Sequence, residues 1–411
     1  MDAAKRLRQR HPEITRIRFA AVLLVALTEL ACSPPHVGGP VSGATATPSA
    51  GETPTPASTA SPAKACASRV LASLTEDQRI GQLFFMGLAN DQLGTAERNA
   101  VVSAAVGSVW YSGLSSAPAS SVAAVSASVQ ALAPSGPVGR IPLLIGANQE
   151  GGQIDQFHGP GFTPIPSALV LGQEAPNRLE TEAASWGDQL MAAGINLEVA
   201  PVMDTVPPGT DVRNAPIGAL EREFGHDPAS VSAHGIAFMK GMQSAGEATV
   251  IKHFPGLGRV TVNTDFGASA VDRQTTGNDP YLQPFADAIR AGADMVMVST
   301  ALYTQIDAQR LAAFSPVVIG LLRDRYKFEG VIVSDDLGAA VAVQHLPPGQ
   351  RATDFIAAGG DLVTVKDARL ITSMASAVRA RAQTDPAFRQ RVDDAALHVL
   401  DLKSRHHLLC T

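Results

Sequence analysis

What this sequence lacks removes several classes of function. Positive charge is in deficit: 32 Lys and Arg face 38 Asp and Glu, a formal charge of −6, which is unsuited to a nucleic-acid backbone. No Gly-x-Gly-x-x-Gly follows the first β-prone run and no Walker-type loop occurs, which argues against nucleotide binding. Cysteines number three, with no Cys-x-x-Cys pair and no clustered histidines, so no metal site is expected. Aromatics make up only 5%, but 45% of the 411 residues are apolar and 17% charged, the balance of a globular chain with a sizeable core rather than a disordered one.

Long apolar runs are also missing. The basic stretch Met1–Arg18 leads into Phe19–Leu27 and then Ala31-Cys32, too short for a membrane-spanning helix of about 20 residues but laid out as a secretory signal. Residues 1–32 are therefore read as a signal peptide. Cys32 after a small residue resembles a bacterial lipid-attachment site, although Glu29 stands where such sites carry an aliphatic residue; export is the primary expectation and a membrane anchor on Cys32 the secondary one. Residues 33–64, rich in Pro, Ser, Thr, Ala and Gly, are read as a disordered linker that cannot offset its ordering entropy by burial. With Cys32 lipidated, Cys66 and Cys410 remain, either as a disulfide joining the ends of the folded body or as two free thiols.

Residues 65–411 form the folded domain. Short β-prone runs recur at Leu83–Met86, Val106–Tyr111, Pro142–Ala147, Ile195–Val202, Ala248–Phe254, Asp294–Thr300, Gly330–Asp335 and Asp361–Lys366, separated by stretches with helical apolar spacing. Strands alternating with helices form parallel βαβ units, and eight of them predict an α/β fold of the single (β/α)8 TIM-like barrel type, with a doubly wound sheet as runner-up. In a barrel the chemistry gathers where strands end. Those ends carry Trp110 and Tyr111; Asn148, Gln149 and Glu150; Asp204; Lys252 and His253; Ser299 and Thr300; Asp335 and Asp336; and Lys366. So many polar groups after apolar runs would be costly in a core and are better explained by a shared pocket. The adjacent Asp335 and Asp336 are ambiguous alone, since such pairs also serve as metal ligands or helix caps. Lys252-His253 supply donors suited to sugar hydroxyls, ahead of a glycine-rich loop able to move over a pocket.

Lys252-His253-Phe254-Pro255-Gly256-Leu257-Gly258 and Ser334-Asp335-Asp336-Leu337, with Gln149-Glu150-Gly151-Gly152, Ala200-Pro201-Val202-Met203-Asp204 and Phe224-Gly225-His226-Asp227-Pro228 in order between Leu74 and the chain's end, resemble glycoside hydrolase family 3. The likeness is to its single-domain β-N-acetylglucosaminidase, or β-N-acetylhexosaminidase, branch. The resemblance implies removal of terminal β-linked N-acetylglucosamine from amino-sugar glycans such as peptidoglycan or chitin-type fragments, with retention and with no metal or organic cofactor. It also implies Asp335 as nucleophile and Lys252, His253 and Arg222 as sugar-binding residues.

The departures bear on turnover. Where members of this branch typically carry Asp-Ser-His, whose histidine is the general acid/base, this chain has Asn263-Thr264-Asp265. Leu257 replaces a usual histidine. Asn148 and Gln156 replace a sugar-binding carboxylate and a guanidinium; both are kept as substrate-binding candidates. In one account Asp265 takes the acid/base role, its pKa raised by desolvation. In the other the dyad is lost, leaving a glycan-binding lipoprotein of weak activity. A third reading keeps the enzyme and changes the sugar.

Overall fold

A computed structural model describes residues 61–136 and 139–410. The signal-like segment, Cys32 and the linker up to residue 60 lie outside the described residues. Pro62–Lys64, assigned above to the linker, instead form the first turn of helix α1, Pro62–Ser73. The Ser61 hydroxyl accepts the Lys64 N–H there, and a proline occupies the first helical position.

Eight parallel strands form one sheet: β1 Phe84–Leu88, β2 Ser108–Tyr111, β3 Leu144–Ala147, β4 Leu197–Glu198, β5 Ala248–Phe254, β6 Met295–Val298, β7 Val331–Ser334 and β8 Val363–Val365. They neighbour one another in chain order, and β8 lies beside β1. A parallel bridge from Val333 to Leu362 joins β7 to the start of β8 and closes the cylinder, reinforced by N–H donation from Asp361 and Leu362 to the Ile332 carbonyl. This is the (β/α)8 barrel that the strand pattern predicts.

Helices follow the strands: α2 Thr95–Ala104, α3 Ala119–Gln130, α4 Pro176–Ala192, α5 Pro228–Ser244, α6 Gln283–Arg290, α7 Pro316–Gly320 with a wider turn Leu321–Arg325, α8 Pro348–Ala357, α9 Ile371–Thr384 and α10 Pro386–Arg405. The strands read as continuous apolar runs because both faces are buried. Phe85, Leu144, Val250, Met297 and Val333 fill the barrel interior, while Phe84, Met86, Ile145, Ile251 and Val296 pack outward against the helices, the period-2 alternation of a strand. Val399 and Leu402 of α10 join the interior cluster. Beside them the buried Lys403 donates to Gln82 Oε1 and the Gly107 carbonyl, which precede β1 and β2. So α10 seals the N-terminal end of the barrel. It packs on α1, where Cys66 is disulfide-bonded to Cys410 across 344 residues of chain.

The expected run Ile195–Val202 pairs regularly only over Leu197–Glu198. Pro201 has no N–H to donate, and the ladder resumes in isolated contacts such as the Val202–Lys252 bridge. The chain there turns toward Asp204 at the mouth of the barrel.

Candidate active site

The C-terminal strand ends enclose a cavity of about 280 Å³ lined by Trp110, Asn148, Arg222, Lys252, His253, Leu257, Asn263, Thr264, Asp265, Phe266, Asp335, Asp336 and Lys366 among others. Its polar groups come from β2 and β5 themselves and from the loops after β3, β4, β5, β7 and β8. One mouth therefore gathers side chains that are far apart in sequence.

Glu150, just past β3, is the hub. Its Oε2 accepts Arg222 Nε at 2.7 Å and its Oε1 accepts Arg222 Nη2 at 2.8 Å, a bidentate pair, while Lys252 Nζ reaches Oε1 at 2.5 Å. Lys252 Nζ also donates to Asn148 Oδ1 at 3.1 Å. Burial alone would raise the Glu150 pKa, but the Arg222 and Lys252 charges outweigh it and hold the carboxyl at about 2. Burial pulls the Lys252 ammonium below the usual lysine range despite Glu150. Both cations thus stand fixed at the cavity wall, each able to offer remaining N–H groups to a hydroxyl.

His253 is oriented from behind. Asp204 Oδ2 lies 2.7 Å from His253 Nδ1, and Asp204 Oδ1 accepts the backbone N–H groups of His253 at 3.2 Å and Leu257 at 2.8 Å. With Nδ1 engaged, Nε2 faces Arg222 Nη2 at 3.5 Å. The loop that follows requires glycine. Gly256 has φ +127°, and a Cβ on Gly258 would collide with the Thr205 carbonyl.

The two adjacent aspartates at the end of β7 have separate fates. Asp336 is buried and used up by the backbone: its Oδ1 accepts the N–H of Gly338 at 2.8 Å and of Lys366 at 2.9 Å, and its Oδ2 that of Ala339 at 2.9 Å. Asp335 keeps its carboxyl at the cavity with one hydrogen-bond donor among the described residues, the Asp336 N–H at 2.8 Å. Opposite it, the segment Asn263–Gly267 is folded by Asn263, whose Oδ1 accepts the Asp265 N–H at 2.9 Å. The segment is tied to the loop after β7 by Val341 and Ala342 N–H donation to the carbonyls of Asp265 and Thr264. Asp265 sits at the exposed rim, and its carboxyl is raised above the ordinary aspartate range, first by withdrawal from water on the cavity side and then by the Asp335 charge; His253, Lys366 and Arg222 oppose that rise.

Of the residues singled out from sequence, Asp335, Asp265, Lys252, His253, Arg222 and Asn148 meet in this cavity. Gln156 does not line it. Its amide is spent on backbone, donating to the Gly113 carbonyl and accepting the Asn148 N–H, so it shapes the β3 loop rather than contacting the cavity. Glu150 and Asp204 stood among the strand ends without an assigned role. Their signal was an acidic residue buried beside basic ones, visible only once the pairing is known. Trp110, also named at a strand end, brings Nε1 to the cavity as a buried donor with no acceptor among the described residues.

A cavity of carboxylates, fixed cations and an aromatic wall at the mouth of a parallel barrel defines the class of glycosidase barrels. Residues 75–402 match the family described as Glycosyl hydrolase family 3 N terminal domain. The chain is 31% identical over 327 residues to a Beta-hexosaminidase of Stenotrophomonas maltophilia (strain K279a), covering 77% of this chain and 92% of that one. The crystal structure of a β-N-acetylhexosaminidase from Beutenbergia cavernae DSM 12333 superposes with a TM-score of 0.79 at 46% identity, covering 80% of this chain and 98% of that one. A family 3 β-N-acetylglucosaminidase from Paenibacillus sp. str. FPU-7 gives a TM-score of 0.73 at 28% identity, covering 82% of this chain and 63% of that one. The chain belongs to glycosyl hydrolase family 3.

Proposed function

We propose that this glycosidase is an exported β-N-acetylhexosaminidase that removes terminal β-linked N-acetylglucosamine from cell-wall or chitin-type fragments with retention of configuration. The names of its similar relatives support the amino sugar. Export is supported by the signal-like N-terminus and by the Cys66–Cys410 disulfide, which suits an oxidising compartment; a lipid on Cys32 remains the secondary form of that proposal. The observation that carries the mechanism is that Asp335 and Asp265 line one cavity, with desolvation and then the Asp335 charge raising the Asp265 carboxyl above the ordinary aspartate range.

In the first half-reaction Asp335 attacks the anomeric carbon. The new C1–Oδ bond forms as the glycosidic C1–O bond breaks, and Asp265 gives its proton to the departing oxygen. In the second half Asp265, now a carboxylate, takes a proton from water as that water attacks C1 and releases Asp335. Lys252, Arg222, His253 and Asn148 hold ring hydroxyls. Glu150 and Asp204 set their directions.

A 2-fluorinated aryl donor should label Asp335, read by peptide mass spectrometry, and Asp335→Asn should lose hydrolysis. Asp265→Ala should lose about 10²–10⁴-fold on substrates with poor leaving groups and little on activated ones. Equal loss across that series removes Asp265 from proton transfer. Binding of N-acetylglucosamine fragments without turnover would instead favour a glycan-binding protein.

A further inference from the structure

Outside the cavity, the loop from β4 to α5 brings together Asp211, Glu223 and His226, each offering one donor atom within 4.8 Å of the others. None of the three lines the cavity described above. Glu223 is fully buried, yet among the described residues its carboxylate oxygens have no hydrogen-bond partner beyond its own backbone and the neighbouring Asp211 carboxyl. Asp211 Oδ1 accepts no hydrogen bond among the described residues and lies 3.3 Å from His226 Nδ1, which also faces the Val206 carbonyl at 3.3 Å. A buried carboxylate with no cationic partner is costly, and a second carboxylate beside it adds repulsion. The side chains of Asp211 and His226 are 33% and 36% exposed, so the cluster has a closed base and an open side.

The framework is rigid on both flanks. Asn214 donates to the carbonyls of Leu257 and Val260 and accepts the N–H groups of Ile217 and Gly218. Asp227, next to His226, caps α5 by accepting the N–H groups of Ala229 and Ser230. We propose that Asp211, Glu223 and His226 bind one divalent transition-metal ion of the Zn²⁺ class, with water completing its coordination on the open side. One imidazole nitrogen and two carboxylate oxygens form a mixed donor set; Ca²⁺ and Mg²⁺ prefer oxygen alone. The two carboxylates balance the ion's charge. The ion has no part in the sugar chemistry: it ties together the loop that presents Arg222, the neighbour of Glu223. No motif spacing announces the site, because Asp211 stands twelve residues before Glu223 on an irregular loop.

The test is calorimetric titration of the metal-stripped full chain with Zn²⁺, with Mg²⁺ as control. Wild type should take up one equivalent of Zn²⁺ and no Mg²⁺, and Zn²⁺ should raise its thermal unfolding midpoint. Glu223→Gln keeps the shape of the base, and His226→Ala alters a partly exposed position, so one variant covers for the other if folding fails. Each should weaken Zn²⁺ at least about tenfold, a loss that even an outer-shell partner can produce, and should abolish the Zn²⁺-dependent rise. Asp335→Asn should keep the equivalent. Absence of stoichiometric uptake overturns the proposal and leaves Glu223 as a buried acid sharing a proton with Asp211. Unchanged affinity in both cluster variants, or loss of the equivalent in Asp335→Asn, overturns it as well, the last by moving the ion to the catalytic cavity.

Discussion

Glu150→Gln isolates the electrostatic hub of the site. The substitution keeps the side chain's size and removes the one negative charge that Arg222 and Lys252 share. The side chains of Glu150, Lys252 and Arg222 are 4%, 2% and 12% exposed, so solvent offers little compensation. A carboxyl held at about 2 against an ordinary 4.5 contributes about 3 kcal/mol at neutral pH, consistent with about 3–5 kcal/mol for breaking a buried pair by removing one partner. The sign follows from the depressed pKa: this stability is fully present above about pH 4.5 and is lost as pH falls from there toward 2. Urea unfolding followed by circular dichroism should therefore show Glu150→Gln destabilised by about 3 kcal/mol at pH 7, with the gap closing in acid. Its kcat/KM on an aryl N-acetylglucosaminide should fall by about 10²-fold as the two cavity cations, the proposed sugar ligands, drift. Adding Lys252→Met to Glu150→Gln should recover part of the stability but none of the activity. If Glu150→Gln unfolds within about 1 kcal/mol of wild type at pH 7, the ion-pair account of the site is wrong.

In the proposed mechanism Asp265 acts as an acid only while protonated, so kcat/KM on a poor-leaving-group substrate should decline as pH rises through its elevated pKa. That alkaline limb should be absent from the residual activity of Asp265→Asn, and an unchanged limb there assigns it to another group. Trp110→Phe removes the unpartnered indole donor at the cavity and should raise KM up to about tenfold, with a smaller effect on kcat. Substrate titration of the two proteins checks it, and an unchanged KM means Trp110 serves only as a wall. Replacing Cys66 and Cys410 together by serine should cost about 2–5 kcal/mol in a denaturant melt and leave kcat/KM intact, since neither residue lines the cavity.

The barrel was legible because its information is local. Runs such as Ala248–Phe254 and Gly330–Asp335 are apolar throughout, which marks a strand covered on both faces, and the amphipathic stretches between them mark covering helices. The polar residues that end those runs identified the mouth, and residue type alone placed Lys252, His253 and Asp335 there. Partnership was beyond such reasoning. Asn148 and Gln156 looked equivalent, yet one faces the cavity and the other bonds backbone, accepting the Asn148 N–H and donating to the Gly113 carbonyl in the loop after β2. Asp335 and Asp336 are neighbours with the same side chain, and only the positions of the Gly338, Ala339 and Lys366 amides decide which is consumed.

The chain's own pattern thus determined the elements, their order and the face on which chemistry collects, because burial periodicity and turn residues act over a few positions. Closure of the barrel decided the rest. It set Glu150 against Arg222 and Lys252, Asp204 behind His253 and Asp265 in one cavity with Asp335, and so decided the surroundings and direction of each group. Those properties depend on distances between strands far apart in sequence, and on the water that their packing excludes.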